Sequence, residues 1–583
     1  MKISFLKGRI VTDGYFYEDV PYDVSANNLS VCFDGKGGLG KYLSVRSGKN
    51  YSERSMFSLY KNGEQVGAYT KKQTKMAGRI QEICLLGNGY RVEMKQFITK
   101  EDDAVFVDMA FYAEENTDFT VAYGIGVSWV IPAFSCTASC RLDQGNMRFE
   151  MDVNVCGEKH IQFVVSYEEN QEYCDRLLTS FQEKDEMASK EIDNIVFPPS
   201  VQTEDEKALY LSALFCSLEN YKECGGLKGF VAGCHYLNPI RTYYRDSYWT
   251  VLPMYAYDIT FVKRQVITLA RGVDKDGSCP SAVKQDFSAF WGGHYDSPSF
   301  FVMMVYDYVN HSGDKAFLQE EVNGKTVLDL CRLVVAKQIE RTDETGLLYK
   351  EGPYNKLDWA DEVNRNGYVT YNEALFYRAL TCVAKLCKAC GKDGSFYVQM
   401  AEKVKTAINK ILWDEEKGYY VNYVDGDFVE DNLSVDTILV YLFGIADEKR
   451  SNRMLDAMER MLETKNNHMQ QAGDYGVMCV YPFYKRISAA YFKSSQDYEY
   501  HNGGNWPYWS AMYAYAKYLK GREYRYALES WFSYNLERGI FTPVEYFSPC
   551  RKSGSTLQAW SGAAAFVFDF IGKPSFFEPI HLQ

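Results

Sequence analysis

The spacing of hydrophobic positions changes once along the chain, and this change divides it into two parts. Up to about residue 195, apolar and polar residues tend to alternate in short runs such as YRVEMKQFIT and AVFVDMAFYA, which are rich in β-branched and aromatic side chains. Gly, Asn and Asp separate these runs. A period of two predicts β-strands, and several strands joined by turn residues predict an antiparallel β-sandwich.

After about residue 203 the apolar positions recur at helical spacing, and they do so to the end of the chain. The stretch EKDEMASKEIDNIVFPPSVQ between the two parts is predicted to be a charged helical connector that ends at Pro198 and Pro199. We therefore predict a β-sandwich domain with its connector over 1–195 and a helical domain over 203–583. Twelve helical runs are predicted in the second domain: 205–221, 245–258, 260–272, 297–312, 324–340, 371–390, 394–412, 434–445, 449–463, 504–520, 522–536 and 557–571.

The helical runs differ in character, and the difference predicts how they pack. Runs 297–312 and 557–571 are the more apolar ones, whereas 394–412 and 449–463 are amphipathic. A helix that is apolar all round is buried, and amphipathic helices cover it. Paired inner and outer rings predict an (α/α)6 toroid barrel. No short repeat recurs at a fixed period, which favours this closed barrel over a solenoid.

Composition and charge narrow the classes of function. A formal net charge of −13 argues against nucleic acid or an anionic membrane surface as the partner. No stretch approaches the roughly 20 apolar residues of a membrane span. The N-terminus, MKISFLKGRIVTDGYF, lacks the apolar core of a secretory signal, so a cytoplasmic location is expected. The 47 Tyr and 9 Trp offer flat faces with polar tips that suit sugars, and bulky filler for a large barrel explains them equally well.

No metal or cofactor is expected. The Cys-x-x-Cys pair CKAC, at 387–390, lies at the end of a helical run without a second pair, and we interpret it as helix packing. The chain contains no P-loop, no Gly-x-Ser-x-Gly elbow and no dinucleotide-binding glycine motif after a strand. The pattern leaves the oligomeric state open.

Four loop segments each place a carboxylate among aromatic residues directly before an apolar helix. They are RTYYRDSYW (241–249), KLDWADEV (356–363), EYHNGGNWPYW (499–509) and PVEYFSPCRKSGSTLQAW (543–560). Since each segment precedes a helix assigned to the inner ring, their side chains are expected to converge at one mouth of the barrel.

Each segment has a simpler explanation when it is taken alone. An acidic run before a helix is more often an N-terminal cap, and adjacent Arg245 and Asp246 are more often a surface ion pair. His501 alone fits a core histidine. Four such segments at the same end of successive helical pairs favour a common site instead.

Hydrolysis of a glycosidic bond needs two carboxyls, one protonated and one ionised. Glu545 is the candidate for the ionised partner because no basic side chain follows it within five positions. Asp361 is the candidate acid: the charges of Asp358 and Glu362 repel its own charge, and Trp359 excludes water from it. Both effects favour the protonated carboxyl. Glu362 is the reserve candidate for the acid.

The motifs YYRDSYW, LDWADEVN and VEYFSP…LQAWSGAAAF resemble, in the same order, the signature segments of glucoamylase-type glycoside hydrolases of family 15. They also resemble the amylo-α-1,6-glucosidase part of glycogen debranching enzymes (family 133) and the family 63 α-glucosidases. The resemblance extends from about residue 205 to 575 and implies an (α/α)6 barrel. Bacterial glucoamylases likewise carry a β-sandwich before the barrel.

The resemblance also implies roles for single residues. Arg245 and Asp246 would hold the hydroxyls of the terminal sugar, Asp361 would be the general acid, and Glu545 the general base of an inverting hydrolysis. Glucoamylases place a Glu directly after the Trp, whereas Ala360 intervenes here, as in debranching enzymes. The candidate substrate-binding residues are Tyr244, Arg245, Asp246, Asp358, Trp359, Glu362, His501, Trp506 and Trp560.

The sequence therefore predicts an exo-acting, inverting glycoside hydrolase that releases a terminal sugar, with glucose favoured, from α-linked oligosaccharides or small glycosides. The segment YHNGGNWPYW also resembles a loop of (α/α)6 families that act on rhamnosides, so an α-L-rhamnoside is an alternative substrate. A glycoside phosphorylase would need an anion pocket in place of Glu545, where only Arg551 and Lys552 are basic. A carbohydrate-binding protein without catalysis is the remaining alternative.

Overall fold

The structure is a computed structural model, and contacts between its residues divide the chain into two compact units. It describes residues 1–14, 20–35, 37–44, 50–51, 56–125, 130–143, 146–166, 169–234, 236–351, 358–487, 493–550 and 553–582. Unit 1 comprises Met1–Cys224, Gly233–Ile240 and Asn535–Pro543. Unit 2 comprises Gly225–Ala232, Arg241–Tyr534 and Val544–Gln583.

The N-terminal part of unit 1 is built from antiparallel strands, as the alternation of apolar positions predicts. Two of these strands, β12 and β15, are 21 residues long and pair along their length, with a register shift between Ala113 and Thr117. The strands are β1 (Lys2–Leu6), β2 (Arg9–Gly14), β3 (Tyr22–Ser25), β4 (Leu29–Phe33), β5 (Leu39–Ser44), β6 (Asn50–Tyr51), β7 (Met56–Lys61), β8 (Glu64–Gln65), β9 (Lys71–Ala77), β10 (Ile80–Gly87), β11 (Tyr90–Ile98), β12 (Val105–Ile125), β13 (Ile131–Phe134), β14 (Ala138–Asp143) and β15 (Asn146–Ser166).

These strands form two sheets. The larger sheet follows the order β1-β2-β9-β10-β11-β12-β15-β13, with β14 on β15 and with β7 joining β8 to β12. The smaller sheet follows the order β3-β4-β5-β6. Side chains tie the two together: the Tyr22 hydroxyl donates to the Gly78 carbonyl (2.8 Å), and Arg79 Nε donates to the Ser25 carbonyl (2.8 Å).

The predicted helical connector consists of two helices, α1 (Gln171–Thr179) and α2 (Phe181–Asp193), which cover one face of the larger sheet. Phe97 and Phe106 of the sheet stack on each other at 4.9 Å, and each meets Phe181 edge to face at 5.6 Å. The connector therefore contributes to the core of unit 1 rather than lying in solvent.

Each of the twelve predicted helical runs contains helix. Run 245–258 is broken at Pro253, and 434–445 holds a 3-10 segment (Val435–Ile438) followed by one α turn. Two other 3-10 segments are Lys315–Gln319, which follows α7, and Ala559–Gly562, which precedes the last helix. The helices are α3 (Glu204–Leu218), α4 (Tyr244–Thr250), α5 (Met254–Tyr257), α6 (Thr260–Arg271), α7 (Ser297–Ser312), α8 (Val327–Ile339), α9 (Thr370–Ala389), α10 (Ser395–Ile411), α11 (Leu439–Leu442), α12 (Glu448–Met461), α13 (Pro507–Leu519), α14 (Arg525–Glu537) and α15 (Ala563–Phe570).

The inner helices of unit 2 form a closed ring. The order of contacts is α4, α7, α9, α11 with its 3-10 segment, α13 and α15, and the 3-10 segment before α15 returns to α4. Helix α7 is buried from Ser297 to Asn310 and α15 over its whole length, whereas α10 and α12 bury one face only. The apolar and amphipathic runs thus take the inner and outer positions that their patterns predict.

Short strands lie in the long loops between helices and lead into the inner ring. β18 runs directly into α4, and β18, β19 and β20 form one small sheet of unit 2. No helix in the described ranges combines the length and hydropathy needed to cross a membrane. The short strands are β16 (Tyr221–Cys224), β17 (Leu227–Phe230), β18 (Arg241–Tyr243), β19 (Pro280–Lys284), β20 (Ala289–Gly293), β21 (Glu321–Val322), β22 (Lys325–Thr326), β23 (Tyr368–Val369), β24 (Trp413–Asp414), β25 (Tyr419–Tyr420), β26 (Tyr423–Asp425), β27 (Phe428–Glu430), β28 (Leu433–Ser434) and β29 (Val480–Tyr481).

Candidate active site

The loop segments that precede three inner helices meet in one cluster of aromatic rings. Between ring centroids, Trp359 lies 5.2 Å from His501 and 5.4 Å from Trp506. Trp506 lies 5.5 Å from Tyr546 and 5.7 Å from Trp560. The segments around 359, 501–506 and 545–560 therefore come together in space, although up to about two hundred positions separate them in the sequence.

The first segment contributes a buried ion network. Arg245 Nε donates to Asp246 Oδ1 (3.2 Å), and its Nη1 donates to Asp296 Oδ2 (3.3 Å). The Tyr371 hydroxyl also donates to Asp296 Oδ2 (3.1 Å). Both partners of the Arg245–Asp246 pair are buried, so it is not the surface ion pair that the simpler explanation gives. Burial raises the pKa of Asp296 to about 6, and the Arg245 guanidinium opposes that rise.

Glu545 has a buried carboxyl beside the ring cluster, at the mouth of the barrel. The Tyr500 hydroxyl donates to Glu545 Oε1 (3.3 Å), and the Glu545 backbone N–H donates to the Ser555 carbonyl (2.9 Å). Burial raises the pKa of Glu545, while the Lys493 ammonium and the Tyr500 hydrogen bond lower it; the charge of Asp246 adds to the rise. The charges of Glu545 and Asp246 therefore interact, so the first and the last of the four segments lie close together.

The Glu545 carboxyl leaves little room on one side. A Cβ atom at Gly554 would lie 2.4 Å from Glu545 Oε2 and 2.6 Å from Glu545 Cβ, so only glycine fits there without a shift. Gly554 belongs to a loop that pairs back onto the Glu545 segment, since Val544 bridges Thr556 and Phe547 bridges Ser553. Arg551 and Lys552, the basic residues of this loop, lie outside the described residues.

Asp358 is an ion-paired anchor of its loop. It is 0 % exposed, and the two cations beside it hold the pKa of its carboxyl well below the usual range. The repulsion of Asp361 that the sequence predicts therefore comes from a charge that two cations already pair with, and it is weaker than an unpaired Asp358 would give. No oxygen of Asp358 is left for a sugar, since four groups donate to its carboxylate: Lys350 Nζ (2.6 Å), Arg365 Nη2 (2.8 Å), the Ala360 N–H (2.9 Å) and Asn372 Nδ2 (3.3 Å).

The same network fixes Trp359. Its indole N–H donates to Asp436 Oδ2 (2.6 Å), which also accepts from Arg365 Nη1 (2.6 Å). The Arg365 guanidinium lies 5.6 Å from the Trp359 ring. Since Asp436 belongs to the 3-10 segment of the inner ring, the loop of Trp359 is joined to the barrel itself. Trp359 can therefore offer a sugar its ring but not its N–H.

Asp361 and Glu362 follow directly on this anchored stretch, and both are half-buried. Glu362 Oε2 accepts from the Ser494 backbone N–H (3.3 Å). Burial, and after it the charges of Glu499, Glu545 and Glu362, raises the pKa of Tyr546. Glu362, which follows Asp361 in the loop before α9, and Glu545 therefore both lie close enough to Tyr546 for their charges to act on its hydroxyl.

Tyr244 does not take part in this arrangement. Its hydroxyl donates to the Leu269 carbonyl at the end of α6 (2.8 Å), and its ring is fully buried between helices. Its position supports helix packing and not a contact with substrate.

Several buried polar atoms around the ring cluster have no hydrogen-bond partner among the residues that the structure describes, and they include His501 Nε2, Tyr508 Oη, Trp560 Nε1 and Asp296 Oδ1. Leaving such a group unsatisfied costs about 1–3 kcal/mol. Tyr508 stacks on Trp560 at 4.7 Å, and burial lowers the pKa of His501 so that its ring is neutral at pH 7. A ligand rich in hydroxyl groups, or water in its absence, would satisfy these atoms.

Several groups at this site escape the sequence pattern. Asp296, in HYDSP, precedes the apolar run of α7, so the pattern of an acidic and aromatic segment before an inner helix applies to a fifth segment as well. Tyr500 and Tyr508 lie inside EYHNGGNWPYW, where nothing in the sequence separates them from filler. No pattern in the sequence around Lys493 marks it as a residue of the site. Within the described ranges, no three His, Cys, Asp or Glu side chains are arranged to hold a metal ion.

A sequence model of the amylo-alpha-1,6-glucosidase family matches residues 215–566, more than half of the chain. The chain belongs to this family. As an amylo-alpha-1,6-glucosidase family member it is a glycoside hydrolase, which agrees with two carboxyl-bearing segments at one mouth of the barrel. No curated protein matches the sequence.

Two solved structures share the fold of this amylo-alpha-1,6-glucosidase family member. One is a bacterial glucoamylase in complex with acarbose, with a TM-score of 0.63 and 13% identity, covering 98% of this chain and 99% of that one. The other, from the human microbiome, is assigned as a kojibiose phosphorylase, with a TM-score of 0.56 and 11% identity, covering 97% of this chain and 89% of that one. These likenesses confirm the predicted (α/α)6 barrel preceded by antiparallel sheet.

Proposed function

We propose that this protein is an exo-acting, inverting glycoside hydrolase that releases glucose from α-linked oligosaccharides or small glycosides. The observation that carries the proposal is the setting of Glu545. It is a buried carboxyl that accepts from Tyr500, senses Asp246, and lies beside aromatic rings and unpartnered polar atoms. Flat rings and hydrogen-bonding atoms at one mouth suit the C–H faces and hydroxyls of a sugar.

The proposed reaction uses one carboxyl as acid and one as base. Asp361 gives its proton to the glycosidic oxygen while the bond from that oxygen to the anomeric carbon breaks. A water molecule attacks the anomeric carbon from the opposite face, and Glu545 takes the proton of that water. The sugar leaves with its anomeric configuration inverted. Glu362, next to Asp361, is the reserve candidate for the acid.

Recognition of the terminal sugar is assigned to the buried network at the start of α4. Arg245 and Asp246 each offer hydrogen-bonding atoms at the mouth, and Asp296 orients Arg245 through its own contact. The family description, amylo-alpha-1,6-glucosidase, supports an α-1,6-linked glucoside among the substrates.

The test compares the wild type with Asp361→Asn, Glu362→Gln and Glu545→Gln on maltose, isomaltose, α,α-trehalose and p-nitrophenyl α-glucoside and α-L-rhamnoside, with the product anomer followed by NMR. We expect β-glucose first, and losses of orders of magnitude for Asp361→Asn and Glu545→Gln on disaccharides. Asp361→Asn should lose less on p-nitrophenyl glucoside, because p-nitrophenolate leaves without a proton.

Other outcomes would redirect the assignment. If Glu362→Gln is inactive and Asp361→Asn is active, Glu362 is the acid. First release of α-glucose would contradict inversion, and turnover of the rhamnoside alone would contradict glucose. A wild type that binds these sugars and turns over none of them would point to a carbohydrate-binding protein.

Phosphorolysis is the second candidate, because Lys493 places a positive charge near Glu545 and because the fold is shared with a protein assigned as a phosphorylase. A phosphorylase needs an anion where an inverting hydrolase holds its base. Since Glu545 is itself an anion when ionised, we favour water as the attacking group. Turnover with and without inorganic phosphate separates the two: appearance of glucose 1-phosphate, at a rate that rises with phosphate, would replace hydrolysis as the function.

A further inference from the structure

The Tyr500 side chain lies between Glu545, the candidate base, and Lys493, which precedes the segment of Tyr500. Its hydroxyl donates to Glu545 Oε1 at 3.3 Å. The Lys493 ammonium lies 4.5 Å from the centroid of the Tyr500 ring. Lys493 itself is exposed at the surface, whereas Tyr500 and Glu545 are buried. A positive charge, a phenol and a carboxyl therefore follow one another from solvent into the site.

We propose that Lys493 and Tyr500 are positioning residues for Glu545, with the ammonium polarising the phenol and the phenol fixing the carboxylate that accepts its hydrogen bond. Attraction between a cation and the face of an aromatic ring draws electron density toward the cation. The hydroxyl of that ring becomes a stronger donor, and a charge-assisted hydrogen bond to a carboxylate is stronger than a neutral one. This inference rests on the proposed role of Glu545.

The position of Tyr500 is fixed by its surroundings. Its ring centroid lies 4.0 Å from that of His501, 4.9 Å from Trp506 and 4.7 Å from Tyr546. Its backbone has a φ of 43°, in the left-handed region that non-glycine residues rarely adopt, and Trp506 Nε1 donates to its carbonyl (3.1 Å). Strained backbone persists where the surrounding structure determines it and is concentrated at functional sites.

The charges that face Glu545 come from several segments and have opposite effects. Asp246, at the start of α4, and burial of the carboxyl both disfavour the ionised form. Lys493 and Tyr500, which precede α13, favour it. Tyr546, the next residue along, is a neutral phenol: burial, and after it the neighbouring carboxylates including Glu545, raises its pKa. Lys493 and Tyr500 therefore counter the cost of burying an anionic base.

The test is the pH dependence of kcat/KM, measured with the best substrate of the glycoside panel above. The variants are Lys493→Met, Lys493→Arg and Tyr500→Phe. Lys573→Met is the matched control: Lys573 is also exposed and lies 5.0 Å from a ring centroid, that of Phe570, beyond the end of α15. Glu545→Gln is measured in parallel, and each profile is repeated in 1 M NaCl.

We expect the acid limb, the pH below which kcat/KM falls by half, to move upward by about 0.5–1 unit in Lys493→Met and Tyr500→Phe. Lys493→Arg should keep the wild-type limb, because charge and ring contact are both retained. High salt should move the wild-type limb toward that of Lys493→Met, since an exposed charge is screened. If Lys493→Met acted only through lost packing, 1 M NaCl would leave the acid limbs of both the wild type and Lys493→Met where they are.

Two results would overturn the inference. The first is an acid limb of Lys493→Met that coincides with that of the wild type while Glu545→Gln is inactive. This result would contradict the role of Lys493, and the proposed function would still hold. An equal shift in Lys573→Met would show a general effect of surface charge. Retained activity of Glu545→Gln would instead overturn the proposed base, and this inference with it.

Discussion

Two aspartates three positions apart in the same loop have opposite surroundings. Asp358 is fully buried and carries the charge that Lys350 and Arg365 require, whereas Asp361 is half-buried at the mouth of the barrel. A carboxylate held by two cations is a poor proton donor, because its pKa is far below neutrality. The acid that the mechanism needs therefore has to be sought beyond the anchored residue, at Asp361 or at Glu362.

This contrast predicts different effects on stability. Asp358→Asn leaves two buried cations without their counter-charge, and we expect a loss of about 3–5 kcal/mol in the free energy of unfolding. Asp361→Asn should change it by less than about 0.5 kcal/mol while abolishing hydrolysis of disaccharides. Thermal unfolding followed by circular dichroism measures the first effect. An unchanged midpoint for Asp358→Asn would contradict the anchoring role.

The pH dependence of that difference has a definite sign. The pKa of Asp358 is lowered on folding, so its contribution is present above the pKa of the unfolded chain, about 3.9, and is lost as the pH falls below it. The gap in stability between the wild type and Asp358→Asn should therefore be full at pH 7 and should narrow below about pH 4. A gap that widens on acidification would contradict this assignment.

Activity should follow the ionisation of Glu545. A general base acts when it is ionised, and burial raises the pKa of this carboxyl above the ordinary value. We expect kcat/KM to fall on the acid side at a pH above about 4.3, the value of an unperturbed Glu. A pH–rate profile of the wild type on isomaltose measures this limb. Full activity down to pH 4 would show that the base is not a buried carboxyl.

At the scale of elements, hydrophobic period carries most of the predictive power. All twelve helical runs contain helix. The period predicts them because burial sets it: inner helices such as α7 are buried on every side, and outer ones such as α10 bury a single face. What the period does not show is how much of a run is helical. In run 434–445 a 3-10 segment and one α turn, of four residues each, place their apolar positions in the core.

The site is predictable only where its residues are close in sequence. Segments 241–249, 356–363, 499–509 and 543–560 can be found because each puts acidic and aromatic residues together before a helix. Lys493 acts on Glu545, and Asp436 on Trp359, across distant segments, so no local pattern marks them. The same limit explains why the sequence does not show that Asp358 is ion-paired: Arg365 lies close along the chain, but its direction is set only by the fold.

The loop that pairs with the Glu545 segment yields a prediction about packing. Gly554→Ala adds a Cβ atom that must displace the Glu545 carboxyl, so we expect kcat to fall at least tenfold, because a small misplacement of a catalytic group has a large effect. Gly292→Ala is the matched control, since nothing lies within 4 Å of its Cβ position. Initial rates on isomaltose measure both. Equal rates for the two variants would show that Glu545 tolerates displacement.

At the scale of the whole molecule, the inner ring of unit 2 closes where the 3-10 segment before α15 meets α4. The chain continues beyond α15, and its final residues return to the end of α7. Asn310 Oδ1 accepts from the backbone N–H groups of Ile580 (2.7 Å), His581 (3.2 Å) and Leu582 (3.3 Å). Phe576 stacks on the ring of His311 at 4.3 Å. The C-terminal segment is therefore joined to the last turn of α7, and so to the ring itself.

Asn310→Ala should weaken this closure without touching the site. Asn310 lies at the opposite end of α7 from Asp296, so the residues proposed to hold the sugar should keep their positions. The backbone N–H groups of Ile580, His581 and Leu582 would lose their acceptor. Because the N–H of Leu582 is buried, we expect a cost of about 1–3 kcal/mol in the free energy of unfolding. Asn310→Asp keeps the acceptor but loses the hydrogen bond that Asn310 Nδ2 donates to the Glu578 carbonyl (3.0 Å), and it buries a charge, so it is a second destabilising variant and not a control. We expect a lower unfolding midpoint for Asn310→Ala with kcat per folded molecule unchanged, measured by calorimetry and initial rates on one preparation. A fall in kcat at constant stability would mean that the far end of α7 acts on the site.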